Sequence, residues 1–295
     1  MKKKSICYGA LIIAGIFTIY FGVKFYTEKT IKRNIDSEIQ KITQFADVQY
    51  DDLQVDILGS RLRLKDVIIT PRFWKEQIRI DEGVFYDLEN EDGIPSNIRF
   101  NLKGIYLNIA RPDNFLKPYI ESMGLENVKA NLECAVSYDK KNRILNVKQI
   151  KLGAGGIGKA ELSLSLKNID PETIGSLPQN IVLLLLTLSG VSIESAEIKY
   201  QDETLMDKVI TVAARQKSQQ ADDYYQSIVQ RLEQTLSNET DPDVKKAIKG
   251  IQDFMKKKDK ISITLAPKRP VPFGKLYWIR DLKPLVDLLG IKVTA

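Results

Sequence analysis

The glycine-rich stretch Gly153–Lys159, GAGGIGK, has the spacing of a phosphate-binding loop. In such a loop the backbone amides surround phosphate groups, the lysine reaches the terminal phosphates, and a following Ser or Thr binds magnesium. Here Ala160 follows the lysine, and the next residues alternate as in a β-strand. A strand offers no helix amino terminus at which phosphate could bind. We therefore predict a glycine turn between two strands and no nucleotide site.

Three acids, Asp202, Glu203 and Asp207, fall in the first turns of a predicted helix. Their carboxylates could bind a divalent cation, but attraction to the positive end of the helix dipole also explains them. The basic run Lys256–Lys260 follows another predicted helix. We expect a solvated helix end there, with contact to lipid headgroups or to a partner as the alternative.

The chain has no histidine. This excludes Ser-His-Asp and Cys-His nucleophiles, histidine general bases and most zinc or iron sites. We predict a non-enzymatic protein without catalytic residues, cofactor or metal, although carboxylate or lysine chemistry remains open. The net charge of +6 is mild and does not indicate nucleic acid as a partner.

An uncharged apolar segment, Ser5–Val23, lies between Lys4 and Lys24. As a helix it would span roughly 28 Å, close to the thickness of a bilayer's apolar core. A cleaved signal peptide would need a small-x-small site after the apolar run, and the sequence supplies none. We predict that residues 1–24 form an uncleaved membrane anchor and that the bulk of the chain lies outside the cytoplasm.

Residues 25–47 predict an amphipathic juxtamembrane helix, because apolar residues recur at helical spacing: Ile31, Ile35, Ile39 and Ile42. The helix would either pack on the following domain or lie on the membrane surface.

Residues 48–169 alternate between apolar and polar side chains, which predicts an antiparallel meander of about seven strands. It begins with a hairpin turning at Gly59–Ser60 and has a bulge at Lys103–Gly104. The remaining predicted elements are strands 78–88, 98–109, 128–138, 143–152 and 159–166, and a short helix, 114–123, closed by Gly124.

Residues 170–295 predict an α/β region that completes the same domain. Its elements are a buried helix containing 181–186, strand 191–200, a helical region 203–237 with a break at 215–223, helix 244–257 capped by Asp241-Pro242-Asp243, strand 261–265, helix 282–289 and strand 291–294. The apolar stripe of 203–214 consists of Leu205, Val209, Val212 and Ala213, and that of 244–257 consists of Val244, Ala247, Ile248, Ile251, Phe254 and Met255. The prolines in 267–272 stop the preceding strand. The predicted fold is α+β, a curved antiparallel sheet with C-terminal helices packed on it.

A curved sheet of this kind can hold an apolar ligand. The predicted lining comprises Leu132, Val136, Leu162 and Leu164, with 181–186, including Leu184, as a lid. Core packing is the competing explanation for each of these side chains.

Two C-terminal blocks resemble uncharacterised proteobacterial envelope proteins over roughly residues 150–295. The first is SIESAEIKYQDETLMDKVITVAA, Ser192–Ala214, in which Tyr200, Asp202, Leu205 and Asp207 form the recurring pattern. The second comprises ISITLAPKRPVPFGKL, Ile261–Leu276, and LVDLLGIKVTA, Leu285–Ala295. The resemblance implies an envelope location and contains no catalytic motif.

The stretch QVDILGSRLRLKDVII, Gln54–Ile69, together with the anchor-plus-strands layout, is similar to AsmA-like envelope proteins. That resemblance implies β-groove domains linked to lipid transport. We therefore expect a single-pass protein of the bacterial inner membrane that faces the periplasm, with membrane lipids and another envelope protein as its partners. It would bind a lipid or another apolar ligand. The alternative is an adaptor that presents its helical region, 203–237, to a membrane partner.

Overall fold

The computed structural model describes residues 32–33, 35–37, 39–40, 43, 46–56, 61–72, 77–91, 94–108, 117–170 and 189–295. The predicted anchor and the apolar run 181–186 lie outside these residues. None of the helices described is both long enough and apolar enough to cross a bilayer. The chain divides into two units. The first contains the described residues up to Asn108 together with Asn127–Tyr138, and the second contains those of 109–126 together with Asp139–Ala295.

The first unit is an antiparallel sheet, as the alternating pattern predicts. Its strands are β1 (Ala46–Gln49), β2 (Asp52–Asp56), β3 (Arg61–Pro71), β4 (Ile78–Glu91), β5 (Ile94–Asn108) and β6 (Asn127–Asp139, whose last residue belongs to the second unit). The order is β1-β3-β4-β5-β6, and β2 also pairs with β3. The β2–β3 pairing, which runs to Asp56 opposite Arg61, confirms the predicted hairpin, and its predicted turn at Gly59–Ser60 lies outside the described residues.

The first predicted strand is divided in two, unlike the prediction. β1 pairs with residues 68–71 of β3 and β2 with residues 61–65. Between these two sections Asp66 has a positive φ of 50°. The Asp51 amide donates to the Lys65 carbonyl oxygen at 3.1 Å. On its other side β3 pairs with β4 in one register across this point, from Arg61 opposite Tyr86 to Ile69 opposite Ile78, so the division is confined to the side of β1 and β2.

The predicted bulge at Gly104 is confirmed. The register of β5 against β6 shifts between Leu102 and Ile105, and Gly104 has a φ of +64°. A Cβ at this position would lie 2.0 Å from an Asp81 carboxylate oxygen. Only glycine therefore satisfies both the backbone conformation and the space.

The face of the first unit that carries Phe100 forms its apolar core. Leu62 and Leu64 are 2 % exposed. The Phe85 and Phe100 rings are tilted at 38° with their centroids 6.0 Å apart. Further buried members are Leu53, Ile98, Leu102 and Cys134.

The predicted amphipathic helix is confirmed where residues 25–47 are described: those between Lys32 and Gln40 are helical. Ile35 is fully buried and Ile39 is 9 % exposed. The Tyr50 hydroxyl donates to the Asp36 carboxylate at 2.7 Å and connects the helix to the end of β1. At these two isoleucines the apolar stripe contacts protein, which favours the packed interpretation over the membrane-surface one.

The second unit contains further antiparallel strands and most of the described helices. Its elements are α1 (Lys117–Ser122), β7 (Ile144–Ala154), β8 (Gly158–Lys167), β9 (Ser192–Asp202), α2 (Leu205–Gln216), α3 (Ala221–Asn238), α4 (Pro242–Lys257), β10 (Lys260–Leu265), β11 (Val271–Pro272), α5 (Phe273–Leu276), α6 (Leu282–Leu289) and β12 (Ile291–Thr294). The strand order is β7-β8-β9-β10-β12, and β11 pairs with the start of β9. The described residues between 46 and 167 form eight strands where the pattern predicts about seven, because the first is divided.

The predicted break in the helical region separates α2 from α3, and α4 is capped as expected. The Asp241 carboxylate accepts hydrogen bonds from the amides of Asp243 at 3.0 Å and Val244 at 3.1 Å. These amides have no partner within the helix, so the cap stabilises its first turn.

The predicted stripe of α4 is wrong at Ile251, which is 39 % exposed, whereas Gly250 and Gln252 are buried. The reason is a close approach to β12. A Cβ on Gly250 would lie 2.5 Å from the Val293 carbonyl oxygen, so the helix turns its glycine toward the strand. The predicted stripe of α2 is likewise wrong at Val209, which is exposed, while Ile210 is buried.

Candidate functional site

The glycine turn is confirmed between β7 and β8, and its polar groups are used within the protein. The Gly156 amide donates to the Glu203 carboxylate at 2.9 Å, and the Thr204 hydroxyl donates to the Gly156 carbonyl oxygen. The Ile157 carbonyl oxygen accepts from the Glu203 amide at 3.2 Å. The turn thus holds the connection from β9 to α2, and the amide that would contact phosphate in a P-loop binds a carboxylate instead.

Asp202 has a similar structural role. Its carboxylate accepts from the Tyr200 hydroxyl at 2.6 Å and from the Met206 amide at 3.1 Å, so it satisfies the first turn of α2. Burial raises the pKa of the Tyr200 phenol, and the hydrogen bond to Asp202 raises it further. The phenol therefore stays protonated at neutral pH and acts as a fixed donor.

Asp207 forms an ion pair with Lys258, whose ammonium lies 2.6 Å from the carboxylate and 4.7 Å from the centre of the Tyr225 ring. The three acids therefore have separate partners. No group of three metal-binding side chains occurs in the part of the chain that the structure describes.

The feature best suited to binding is the apolar face formed by the strands of the second unit. Cross-strand partners share a face, and the register places Ile150, Leu162, Ile198 and Ile263 side by side on β7, β8, β9 and β10. One step along the strands, Leu152 lies opposite Ala160. One step in the other direction, Leu164 lies opposite Ala196.

The helices that the structure describes cover only part of this face. At the end near the start of β9, Ile193, Val271 and Leu289 form a buried cluster against which Leu164 packs. On the side of β10 and β12, Ile291 packs against the α4–α6 cluster of Val244, Ile248 and Val286.

Between these covered regions the apolar face is open. Leu152 is 45 % exposed and Ile198 is 44 % exposed, while Ile150 and Leu162 are half-buried. We call Ile150, Leu152, Leu162 and Ile198 the open apolar face.

The opposite face of the same sheet is charged. Lys151, Glu161 and Lys199 stand side by side on it, and Glu197 lies next to Lys199 on β9. Lys199 pairs with Glu197 at 2.8 Å. The charged side chains indicate that the reverse face is solvated. The exposed apolar side chains of β7, β8 and β9 therefore lie on one face only.

The residues of the predicted lining fall in different places. Leu162 belongs to the open apolar face, and Leu164 lies at its covered end. Val136 is buried and Leu132 is half-buried in the first unit, opposite Ile98 and Leu102 respectively. Leu184 lies outside the described residues.

Leu152 and Ile198 were missed by reasoning from the sequence. The signal that could have identified Leu152 is the glycine turn. A turn at residues 155–157 brings Ala154 opposite Gly158 and hence Leu152 opposite Ala160, which extends the face of Leu162 toward the turn.

The helical region offers a different surface. An open depression on α3 is lined by Gln230, Glu233, Gln234, Ser237 and Asn238. Glu233 in it pairs with Lys256 at 3.0 Å. In α3, which is described throughout, Leu232 and Leu236 pack against the α4 cluster, so the outer surface is polar.

A protein-family model described as an uncharacterized protein matches residues 151–295. No curated protein matches the chain. The matched region begins within β7 and includes β8 to β12 and α2 to α6. It therefore contains Leu152, Leu162 and Ile198 of the open apolar face, but not Ile150.

Proposed function

We propose that this chain is a non-enzymatic, membrane-anchored envelope protein that binds a lipid acyl chain, or a comparable apolar ligand, on the open apolar face. The observation that carries the proposal is the exposure of Leu152 and Ile198 on the face that also bears Leu162. Contiguous exposed apolar side chains on a sheet with a charged reverse side are typical of an interaction surface.

The energy available from this face limits the mode of binding. Full burial of a Leu or Ile side chain contributes about 1.5–3 kcal/mol. Leu152 and Ile198 are each less than half exposed, so together they offer roughly 2 kcal/mol. Association costs at least about 4 kcal/mol, so this contact alone would not retain a ligand from dilute solution.

The predicted anchor, Ser5–Val23, supports a lipid as the ligand because it would hold the face near a bilayer. Tethering raises the effective concentration of lipid and replaces much of the cost of association. A weak apolar surface is then sufficient for transient exchange of acyl chains.

Site-specific photocrosslinking tests the proposal. A benzophenone amino acid would replace Leu152 or Ile198 in the full chain, and Lys199 on the charged reverse face would serve as the control position. We expect lipid adducts, identified by mass spectrometry, at Leu152 and Ile198 but not at Lys199. Absence of lipid adducts at both apolar positions, or equal yields at all three, would refute the proposal.

The alternative, an adaptor that presents its helical region, is favoured by Val209, which is 43 % exposed on α2. The polar outer surface of α3 gives it less support. Benzophenone at Val209 tests it in the same assay. A protein adduct at Val209 without lipid adducts at Leu152 would favour the adaptor.

A further inference from the structure

The segment between α5 and α6 exposes aromatic and apolar side chains at high density. Trp278 is 86 % exposed, and Tyr277 and Leu282 are 49 % and 48 % exposed. Trp278 has the largest exposed fraction among the large apolar residues that the structure describes. A largely exposed indole keeps its apolar area in water, which is unfavourable by about 25 cal/mol for each Å².

Both ends of this segment are fixed to the second unit. At the start, the Phe273 amide donates to the Val191 carbonyl oxygen at 2.9 Å, and the Gly274 amide donates to the Ser189 carbonyl oxygen at 3.2 Å. At the end, the Lys283 ammonium pairs with the Asp241 carboxylate at 2.8 Å. The indole therefore protrudes from a fixed base, which lowers the entropy lost when it binds.

The charged residues close to Trp278 in the sequence are mainly basic. Lys275 and Arg280 are exposed on either side of Trp278, and the only acid between Phe273 and Lys283 is Asp281. Exposed cations are attracted to anionic headgroups by about 1 kcal/mol each near a membrane surface. Trp and Tyr rings prefer the headgroup region, where an apolar body and a polar tip are both satisfied.

We propose that this segment, Phe273–Lys283, docks on an anionic lipid surface. Trp278 and Leu282 enter the interface, and Lys275 and Arg280 contact lipid phosphates. The shape and the charge both favour a bilayer as the occupant. Trp278 and Leu282 are exposed on the connection between two short helices. The positive charges of Lys275 and Arg280 complement an anionic surface.

Fluorescence quenching tests this docking directly, because the chain has two tryptophans, Trp74 and Trp278. In a Trp74→Phe variant of the full chain, Trp278 is the sole reporter. The protein would be placed in nanodiscs of brominated phosphatidylcholine, with or without a quarter of phosphatidylglycerol. We expect strong quenching with phosphatidylglycerol and weaker quenching without it, and the difference should shrink in high salt.

Substitutions test the role of the cations. Lys275→Gln with Arg280→Gln should shift the docking equilibrium roughly 30-fold toward the undocked state in the anionic nanodiscs, from about 1 kcal/mol per cation. The matched control is Lys245→Gln with Lys246→Gln, which removes two exposed cations from α4 and should leave quenching unchanged.

Trp278→Phe in the otherwise native chain provides a second measurement if Trp74→Phe disturbs folding. It should abolish the component of emission that anionic brominated lipid quenches. Absence of quenching at Trp278 would overturn the proposal and would indicate a protein as the occupant. Quenching that depends neither on phosphatidylglycerol nor on the cation substitutions would also overturn it. These results are independent of adducts at Leu152, which test the proposed function.

Discussion

Replacing Gly250 by alanine should destabilise the second unit, although alanine is the better helix former. Gly250 lies in the middle of α4, where Ala would gain about 1 kcal/mol from helix propensity. The new Cβ would, however, lie 2.5 Å from the Val293 carbonyl oxygen and 2.9 Å from a Val293 methyl carbon. The methyl group can rotate away, but the carbonyl oxygen belongs to β12 and cannot move independently.

Relief of the contact requires α4 to move away from the strand by roughly 0.7 Å. A gap of 0.5–1 Å removes a quarter to a half of the dispersion energy of each affected contact. Overpacking of a core in this way costs about 1–3 kcal/mol. After subtraction of the gain in propensity, we expect a net loss of about 1 kcal/mol and a fall in Tm of about 2–4 °C.

Urea unfolding followed by circular dichroism at 222 nm measures this change, because the signal comes mainly from α2 to α6. The matched control is Gly155→Ala, at a position where an added Cβ meets no atom within 4 Å. That substitution should be neutral or stabilising by up to about 1 kcal/mol. If Gly250→Ala stabilised the protein as much as propensity alone predicts, the close approach of α4 to β12 would be refuted.

Three further predictions concern single side chains. Burial raises the pKa of the Cys134 thiol to about 11, so alkylation of its peptide at pH 8, measured by mass spectrometry, should be slow in the folded protein and fast in urea. The Lys283 ammonium lowers the pKa of the Asp241 carboxyl, so Asp241 stabilises the fold above the unfolded pKa of about 4, and this contribution is lost as the pH falls through the folded value. Urea midpoints of Asp241→Asn should therefore lie below those of the native chain at pH 7, and the difference should shrink as the pH falls below the unfolded pKa and the carboxyl becomes protonated. Gly104→Ala should lower the urea midpoint, because the left-handed conformation costs about 1–2 kcal/mol and the new Cβ displaces the Asp81 side chain; an unchanged midpoint would contradict that geometry.

Local chemistry determines the elements that the sequence predicts best. Helix 282–289 and strand 291–294 are found at the predicted boundaries, and Gly290 between them ends the helix with a φ of +59°. The Asp241 cap and the Gly104 bulge are likewise confirmed. In each case a residue type with a specific backbone or hydrogen-bonding property lies at the boundary, and its effect does not depend on distant parts of the chain.

Predictions that depend on contacts between distant segments are less complete. The hydrophobic pattern assigned Ile251 to the buried side of α4, because it cannot show that a backbone-to-backbone contact selects Gly250. The glycine turn was recognised, but its bond to Glu203 joins segments that are far apart in the sequence. Alternation identified Leu162, yet the extent of the open face depends on which strands the helices leave uncovered.

The insertion of α2, α3 and α4 between two adjacent strands has a consequence for how the second unit folds. β9 and β10 are antiparallel neighbours, and the Asp202 amide donates to the Asp259 carbonyl oxygen at 2.8 Å where the helical insertion closes. Closing a loop of roughly 60 residues costs about 3–4 kcal/mol in chain entropy, and this cost arises before the hydrogen bonds between β9 and β10 can offset it. The β8–β9 pair also spans a long connection, so the local β7–β8 hairpin should form first and the β9–β10 ladder should form late, once α4 is in place. Substitutions in the interface of α4 with β12 would then change mainly the unfolding rate and those in the β7–β8 hairpin mainly the folding rate.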